Sequence, residues 1–139
     1  MKLSVKSDYA ARAVLGLARR YPDGGTTRVE ELATEQSIPP NYLVQILIEL
    51  KGKHIVKSQR GKDGGYQLAR APADITLGDI LRAIHGQIFD STGLSDPACP
   101  PELRMSWKKL QKAVENTADN ITFQQLLDES ADKAKMYYI

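Results

Sequence analysis

Adjacent prolines at positions 39 and 40 constrain this chain more than any other feature. Proline has no backbone N–H and a φ locked near −65°, so it opens or ends a helix and is not tolerated inside one. Before the pair lies a short apolar-periodic run, Val29 to Gln36, with Val29, Leu32 and Ala33 on one face. After it comes a longer run from Pro40 to about Lys53, in which Leu43, Ile46, Leu47 and Leu50 recur at three- and four-residue steps. The break Ser37-Ile38-Pro39-Pro40 is short enough only for a tight turn, so the two runs predict a helix-turn-helix.

The flanks extend the pattern. Ala10, Ala13, Val14, Leu17, Ala18 and Tyr21 predict a helix over 4–21, capped by Ser4 or Ser7 and stopped by Pro22-Asp23-Gly24-Gly25. Thr26 or Thr27 is positioned to cap the second helix. Beyond Lys53, residues 55–60 and 66–69 alternate in polarity around Gly61-Lys62-Asp63-Gly64-Gly65, which predicts a glycine-tipped hairpin. Thr76 and Asp79 resemble a capping box for a fourth helix, whose apolar face is Leu77, Ile80, Leu81 and Ile84 and which ends near His85-Gly86. Residues 87–101, rich in Pro, Gly, Ser and Asp, read as a loop.

A long helix follows, from about Glu102 to Asn120. Its Leu103, Trp107, Leu110, Val114, Thr117 and Ile121 are spaced 4, 3, 4, 3, 4, a seam suited to a partner helix. Thr122 and Gln125 then cap a short helix through Ser130, and residues 131–139 carry no strong signal. The expected fold is mainly α with a small β-hairpin wing. A winged helix-turn-helix spans 1–86, a loop 87–101, and a dimerisation helix with a C-terminal helix and tail 102–139.

A winged helix-turn-helix has a physical use. Its third helix is narrow enough for the major groove, where every base pair presents a distinct donor and acceptor pattern. With the leucine and isoleucine face buried, Asn41, Tyr42, Gln45 and Glu49 point outward, and Val44 and Ile48 lie close to that face. Asn and Gln read adenine, and Tyr reaches a phosphate or a thymine methyl. Lys51, Lys53, Lys57, Arg60 and Lys62 follow with no acid until Asp63, a run that would neutralise phosphates. Arg60, beside the glycine turn, suits a minor groove. The same run could equally be the solvated face of a hairpin.

Charge distribution points the same way. Residues 1–70 carry 12 Lys and Arg against 7 Asp and Glu, a balance of +5. Residues 71–139 carry 7 against 10, a balance of −3, so the basic half is the one expected to meet a polyanion, unless the clustering is chance. There is no Gly-x-Ser-x-Gly, no paired histidines and no acid–base dyad, which argues against an enzyme. The glycine turn lacks the Gly-Lys-Ser/Thr ending of a phosphate loop. No stretch is apolar enough for a membrane span, the N-terminal residues turn charged too early for a secretory signal, and there is one cysteine, Cys99. We therefore expect a cytoplasmic protein with duplex DNA as partner and no membrane. A winged-helix module that binds protein is the alternative, and it would show apolar residues at the wing.

The sequence resembles the Rrf2 family of bacterial transcription regulators, the IscR/NsrR/CymR-like winged helix-turn-helix proteins. The resemblance rests on Ser7-Asp8-Tyr9-Ala10, Glu31-Leu32-Ala33, Ile38-Pro39, Tyr42-Leu43-Val44-Gln45-Ile46-Leu47 and, most specifically, Ser58-Gln59-Arg60-Gly61-Lys62-Asp63-Gly64-Gly65-Tyr66-Gln67-Leu68-Ala69. Ile75-Thr76-Leu77-Gly78-Asp79-Ile80, the Trp107 helix and Asn120-Ile121-Thr122 also fit, so the likeness covers about residues 1 to 130. It implies a homodimer in which the long helices of two subunits pack together, on a palindromic operator that is usually repressed; the seam of Leu103, Trp107, Leu110, Val114 and Ile121 is the expected contact. It implies Asn41, Tyr42 and Gln45 as groove contacts and Arg60 as the minor-groove arginine. Lys51, Lys57 and Lys62 complete the expected DNA-binding set. Val44 stands where some members carry an operator-discriminating Glu.

One departure matters. Cluster-bearing members supply three cysteines from the loop before the long helix, and here that loop offers Cys99 alone, with Pro101 and Arg104 where another cysteine and a histidine would fall. An iron–sulfur cluster needs four ligands, so we expect neither metal nor cofactor. Asp8 matches a carboxylate that NsrR-like members donate to the cluster; without cysteines its expected role is structural, near the first helix's N-terminus. Cys99 is an inert thiol, a thiol or redox sensor acting with Arg104 nearby, or part of another metal site. His54 and His85 end helices and read as structural, and Trp107 as interface core.

Overall fold

The computed structural model describes residues 2–137, with side-chain surroundings as far as residue 133; of the expected tail, residues 138 and 139 lie outside the described residues. The order is α1 (Val5–Ala18), α2 (Val29–Gln36), α3 (Pro40–Gly52), β1 (Val56–Gln59), β2 (Gly65–Leu68), α4 (Leu77–His85), α5 (Pro101–Asp119) and α6 (Phe123–Tyr137). Two short 3-10 turns, Pro72–Asp74 and Thr92–Leu94, lie before α4 and α5. The architecture is the expected one, mainly helical with an antiparallel hairpin in which Val56 pairs with Leu68 and Gln59 with Gly65.

Local signals explain most boundaries. Ser4 caps α1, accepting a hydrogen bond from the Ser7 N–H at 3.1 Å. Ser37 ends α2 in the left-handed conformation at φ 55°, and the Ile38 N–H reaches back to the Ala33 carbonyl at 2.9 Å. His54, at φ 59°, ends α3 in the same way, with the Ile55 N–H donating to Leu50 at 3.0 Å. The Thr76–Asp79 capping box is complete at α4, and Thr122 with Gln125 forms the second one at α6.

Two expectations are corrected. Neither Thr26 nor Thr27 caps α2; its N-cap is Arg28, with no side-chain bond. The Thr26 hydroxyl donates instead to the Asp63 carbonyl at 2.6 Å, and Thr27 is fully buried, its backbone bridged to Tyr66. Helix α6 also runs to Tyr137 rather than Ser130, since residues 131–137 contain neither proline nor glycine and favour helix.

The core joins the first four helices, the hairpin and the start of α6. Ala10, Ala13, Val14 and Leu17 of α1 pack with Leu32 and Ala33 of α2 and with Leu43, Ile46, Leu47 and Leu50 of α3. Val56 and Leu68 close it from the hairpin, Ile80 from α4, and Phe123 from the start of α6. Phe123 reaches this core because residues 75–77 and 121–123 zip together. The Leu77 N–H donates to Ile121 at 2.9 Å and the Phe123 N–H to Ile75 at 3.0 Å. Arg20, at the end of α1, clamps α2 through Glu31 and Glu35, and its hydrogen bond holds the Glu35 carboxyl below the usual range. Among the described residues no helix is long and apolar enough to cross a membrane.

Candidate nucleic-acid interface

Helix α3 divides cleanly. Leu43, Ile46, Leu47 and Leu50 are at most 1% exposed. Asn41, Tyr42, Val44, Gln45 and Ile48 are all exposed, Tyr42 at 59%. The helical period produces this split, because the tight turn at Ser37 pins α3 across α2 and leaves one stripe facing outward. The expected groove contacts Asn41, Tyr42 and Gln45 thus share one exposed face in the first half of the helix. Glu49, grouped with them in the sequence reading, is tied up. The Lys6 ammonium lies 2.8 and 2.7 Å from its two oxygens, which leaves it unsuited to reading bases and neutralises an acid beside the basic run.

The cations follow the face around. Lys51 donates to the Ser58 hydroxyl at 2.7 Å and so joins the end of α3 to β1. Lys57, Arg60 and Lys62 are exposed on the hairpin. Gly61 turns the tip at φ 105°, a conformation that favours glycine. Arg28, Arg60, Ser58, Gln59 and Tyr66 line one shallow concavity between the start of α2 and the wing. Sequence reasoning missed Thr26 and Arg28, whose side chains hold the wing tip by its backbone carbonyls at Asp63 and Lys62. No spacing rule reveals such contacts, since donor and acceptor stand 34 to 37 residues apart.

The long helix carries its seam unevenly. Leu103 and Leu110 are 44% and 45% exposed, as an unpartnered face would be. Val114, Thr117 and Ile121 join Leu3, Leu77, Leu81 and Ile88 around an apolar groove of about 400 Å³. Trp107 is half-buried against Gly93 of the preceding loop, where a Cβ would come within 2.7 Å of the indole. That loop is pinned by Arg104, which donates to the carbonyls of Gly93, Asp96 and Cys99. Arg104 therefore spends its hydrogen bonds on backbone near Cys99, while the half-buried thiol points to the Pro100 carbonyl at 3.6 Å. Asp8 pairs with Arg12 at 2.7 Å, one turn on. His85 Nε2 lies 3.1 Å from the Ser4 hydroxyl, linking the ends of α1 and α4.

An exposed, polar-edged α3 beside a basic glycine-tipped wing defines a winged helix-turn-helix DNA-binding transcription regulator. Comparison with known proteins agrees. Residues 3–129 match the family model Rrf2, described as an iron-dependent transcriptional regulator, and the chain belongs to the Rrf2 family. It is 33% identical over 141 residues to the HTH-type transcriptional regulator CymR of Bacillus subtilis, with 100% of both chains covered. The solved CymR structure, described as the global cysteine regulator of B. subtilis, matches with a TM-score of 0.81 at 32% identity, over 93% of this chain and 98% of that one. The IscR structure of T. potens matches with a TM-score of 0.75 at 32% identity, over 94% and 88%.

The family description invokes iron, but the donors here do not fit an iron–sulfur cluster. Cys99 is the one thiol of the chain, against four ligands required. Among the described residues no three His, Cys, Asp or Glu side chains gather closely enough to hold a metal ion.

Proposed function

We propose that this regulator acts in the cytoplasm as a homodimer that represses transcription from a palindromic operator. Residues 1–86 bind DNA and residues 102–139 pair the subunits, with 87–101 as the connecting loop. The protein binds and does not catalyse. One observation carries the reading: Asn41, Tyr42 and Gln45 share the exposed stripe of α3, with the cations of the wing following in sequence. Asn41 and Gln45 read base edges in the major groove, and Tyr42 contacts phosphate or a thymine methyl. Arg60 enters the minor groove, while Lys51, Lys57 and Lys62 neutralise phosphates.

Leu103, Trp107, Leu110, Val114 and Ile121 supply the dimer contact. Two copies related by a two-fold axis would place two α3 helices on successive major-groove faces, which is why the operator is palindromic. The test is selection of bound fragments from the host genome, followed by footprinting. The expected result is a two-fold symmetric site protected on both half-sites, overlapping promoters whose transcripts rise when the gene is deleted. Recovery of asymmetric sites, or transcripts that fall, would overturn the palindrome or the repression.

A further inference from the structure

The segment before α2 does more than connect. Thr26 donates its hydroxyl proton to the Asp63 carbonyl at 2.6 Å, and Arg28 donates from its guanidinium to the Lys62 carbonyl. Between them, Thr27 forms a two-way backbone bridge to Tyr66, with both N···O distances at 2.8 Å. The approach is so close that a Cβ on Gly65, at φ 152°, would lie 2.5 Å from the Thr27 carbonyl oxygen. Three consecutive residues thus hold the tip and the return strand of a wing that is otherwise a two-stranded hairpin, a structure only marginally stable alone.

We infer that Thr26 and Arg28 are positioning residues for the wing, latching its tip to the helix-turn-helix so that Arg60 meets the groove in fixed register with α3. A minor-groove arginine discriminates only if its backbone is held before contact, because ordering a free tip would consume binding energy. The latch acceptors, Lys62 and Asp63, stand two and three residues beyond Arg60 across Gly61, so releasing them frees the turn that carries it. Arg28 and Arg60 line the same concavity, so the latch lies directly beside the residue it orients. The inference rests on the reading of Arg60 as a DNA contact.

A double-mutant cycle tests it, using the full chain and the best-bound duplex that the unmodified protein selects from a random library. Arg28→Ala is expected to weaken binding about threefold to tenfold alone, and hardly at all in an Arg60→Ala background. Thr26→Val should behave in the same way, and Arg28→Lys should restore part of the loss. The salt dependence should stay unchanged in Arg28→Ala, whereas loss of a direct phosphate contact lowers the slope of log K against log salt by about 1. Circular dichroism and thermal unfolding of each variant give the fraction folded, by which affinities are corrected. Equal losses in both backgrounds, a reduced slope or no loss would overturn the latch. An Arg60→Ala protein that binds as well as the original would instead remove Arg60 from the interface, and the latch's purpose with it.

Discussion

Arg82 grips Asp119 through two hydrogen bonds, 2.8 and 2.7 Å long, that join the end of α4 to the end of α5. The carboxylate lies over Gly78, where any Cβ would collide with its oxygen at 2.0 Å. The long helix is thereby held to α4 by a contact between residues 37 apart. The hydrogen bond from Arg82 holds the Asp119 carboxyl below its ordinary range, and burial opposes this more weakly. A depressed carboxyl stabilises the fold above the unfolded pKa, about 3.9, and loses that contribution as pH falls through the folded value. Both side chains are about two-fifths exposed, so solvent screens the pair. Asp119→Asn is expected to cost about 0.3–1 kcal/mol near pH 7, with the gap to the original protein closing below about pH 4. Urea titrations of both proteins across that range check it, and a gap independent of pH would deny the ion pair its role.

Phe123 sets a larger effect. It is 0% exposed and packs with α1, although it opens the last helix. Truncating a buried phenylalanine removes its transfer energy and leaves a cavity, at a typical cost of about 3–5 kcal/mol. Phe123→Ala should therefore lower the unfolding free energy of the whole chain by that amount and loosen α6 from the winged helix. Chemical unfolding followed by far-UV circular dichroism measures it, and a loss below about 1 kcal/mol would place Phe123 outside the cooperative core.

The DNA face yields a graded prediction. Arg60→Ala should weaken specific binding by about 1–3 kcal/mol, the scale of a groove-inserted arginine. Lys57→Ala should weaken binding to all sequences alike and reduce the salt slope by about 1. Gln45→Ala should relax preference at one base-pair position in each half-site. Binding titrations at several salt concentrations, on selected and scrambled duplexes, separate the three, and uniform losses with unchanged slopes would mean that none of them touches DNA.

What the sequence disclosed and what it hid divide by distance along the chain. The capping boxes at Thr76 and Thr122, the break at Pro39-Pro40 and the inward stripe of α3 are patterns of three or four residues, and each stands as expected. The cap expected at Thr26 or Thr27 failed because a distant hairpin claimed both residues, a tertiary demand that outweighs local propensity. The same holds for Arg28, Arg104 and Glu49. The partners of Arg28 and Glu49 stand 34 and 43 residues away, and those of Arg104, though only 5 to 11 residues back, are backbone carbonyls of an irregular loop, so nothing in their spacing marks them. The exposed residues Asn41, Tyr42, Gln45 and Arg60 were legible because a helix period and a glycine turn fix which side they take.

The seam offers a direct test of self-association. Leu103 and Leu110 are among the exposed large apolar side chains, and both lie on α5 clear of the core. Replacing them costs the single subunit little, since neither packs inside it, while a charge placed in a closely packed helix interface is severely destabilising. Leu103→Lys combined with Leu110→Lys should convert a dimer into a monomer at micromolar concentration with the helical signal retained. Sedimentation velocity reads the outcome, and a persistent dimer would move the contact elsewhere.

The last prediction concerns iron. A cluster of the kind that cysteine thiolates hold needs four ligands, and its colour comes from charge transfer between sulfur and iron. This chain brings one thiol, Cys99, half-buried beside Trp107 and Gly93 in a loop that Arg104 fastens by three carbonyls. Even two copies would bring only two thiols. Asp8, the carboxylate that could contribute, is already paired with Arg12. Protein purified without oxygen should therefore be colourless, hold less than about one iron per ten chains, and bind its selected duplex equally well before and after chelator treatment. Cys99→Ser should change neither iron content nor affinity. A brown preparation containing iron and acid-labile sulfide, with binding lost on chelation, would mean that ligands outside this chain complete a cluster, and the regulator would then sense iron through a site its own cysteine count does not provide.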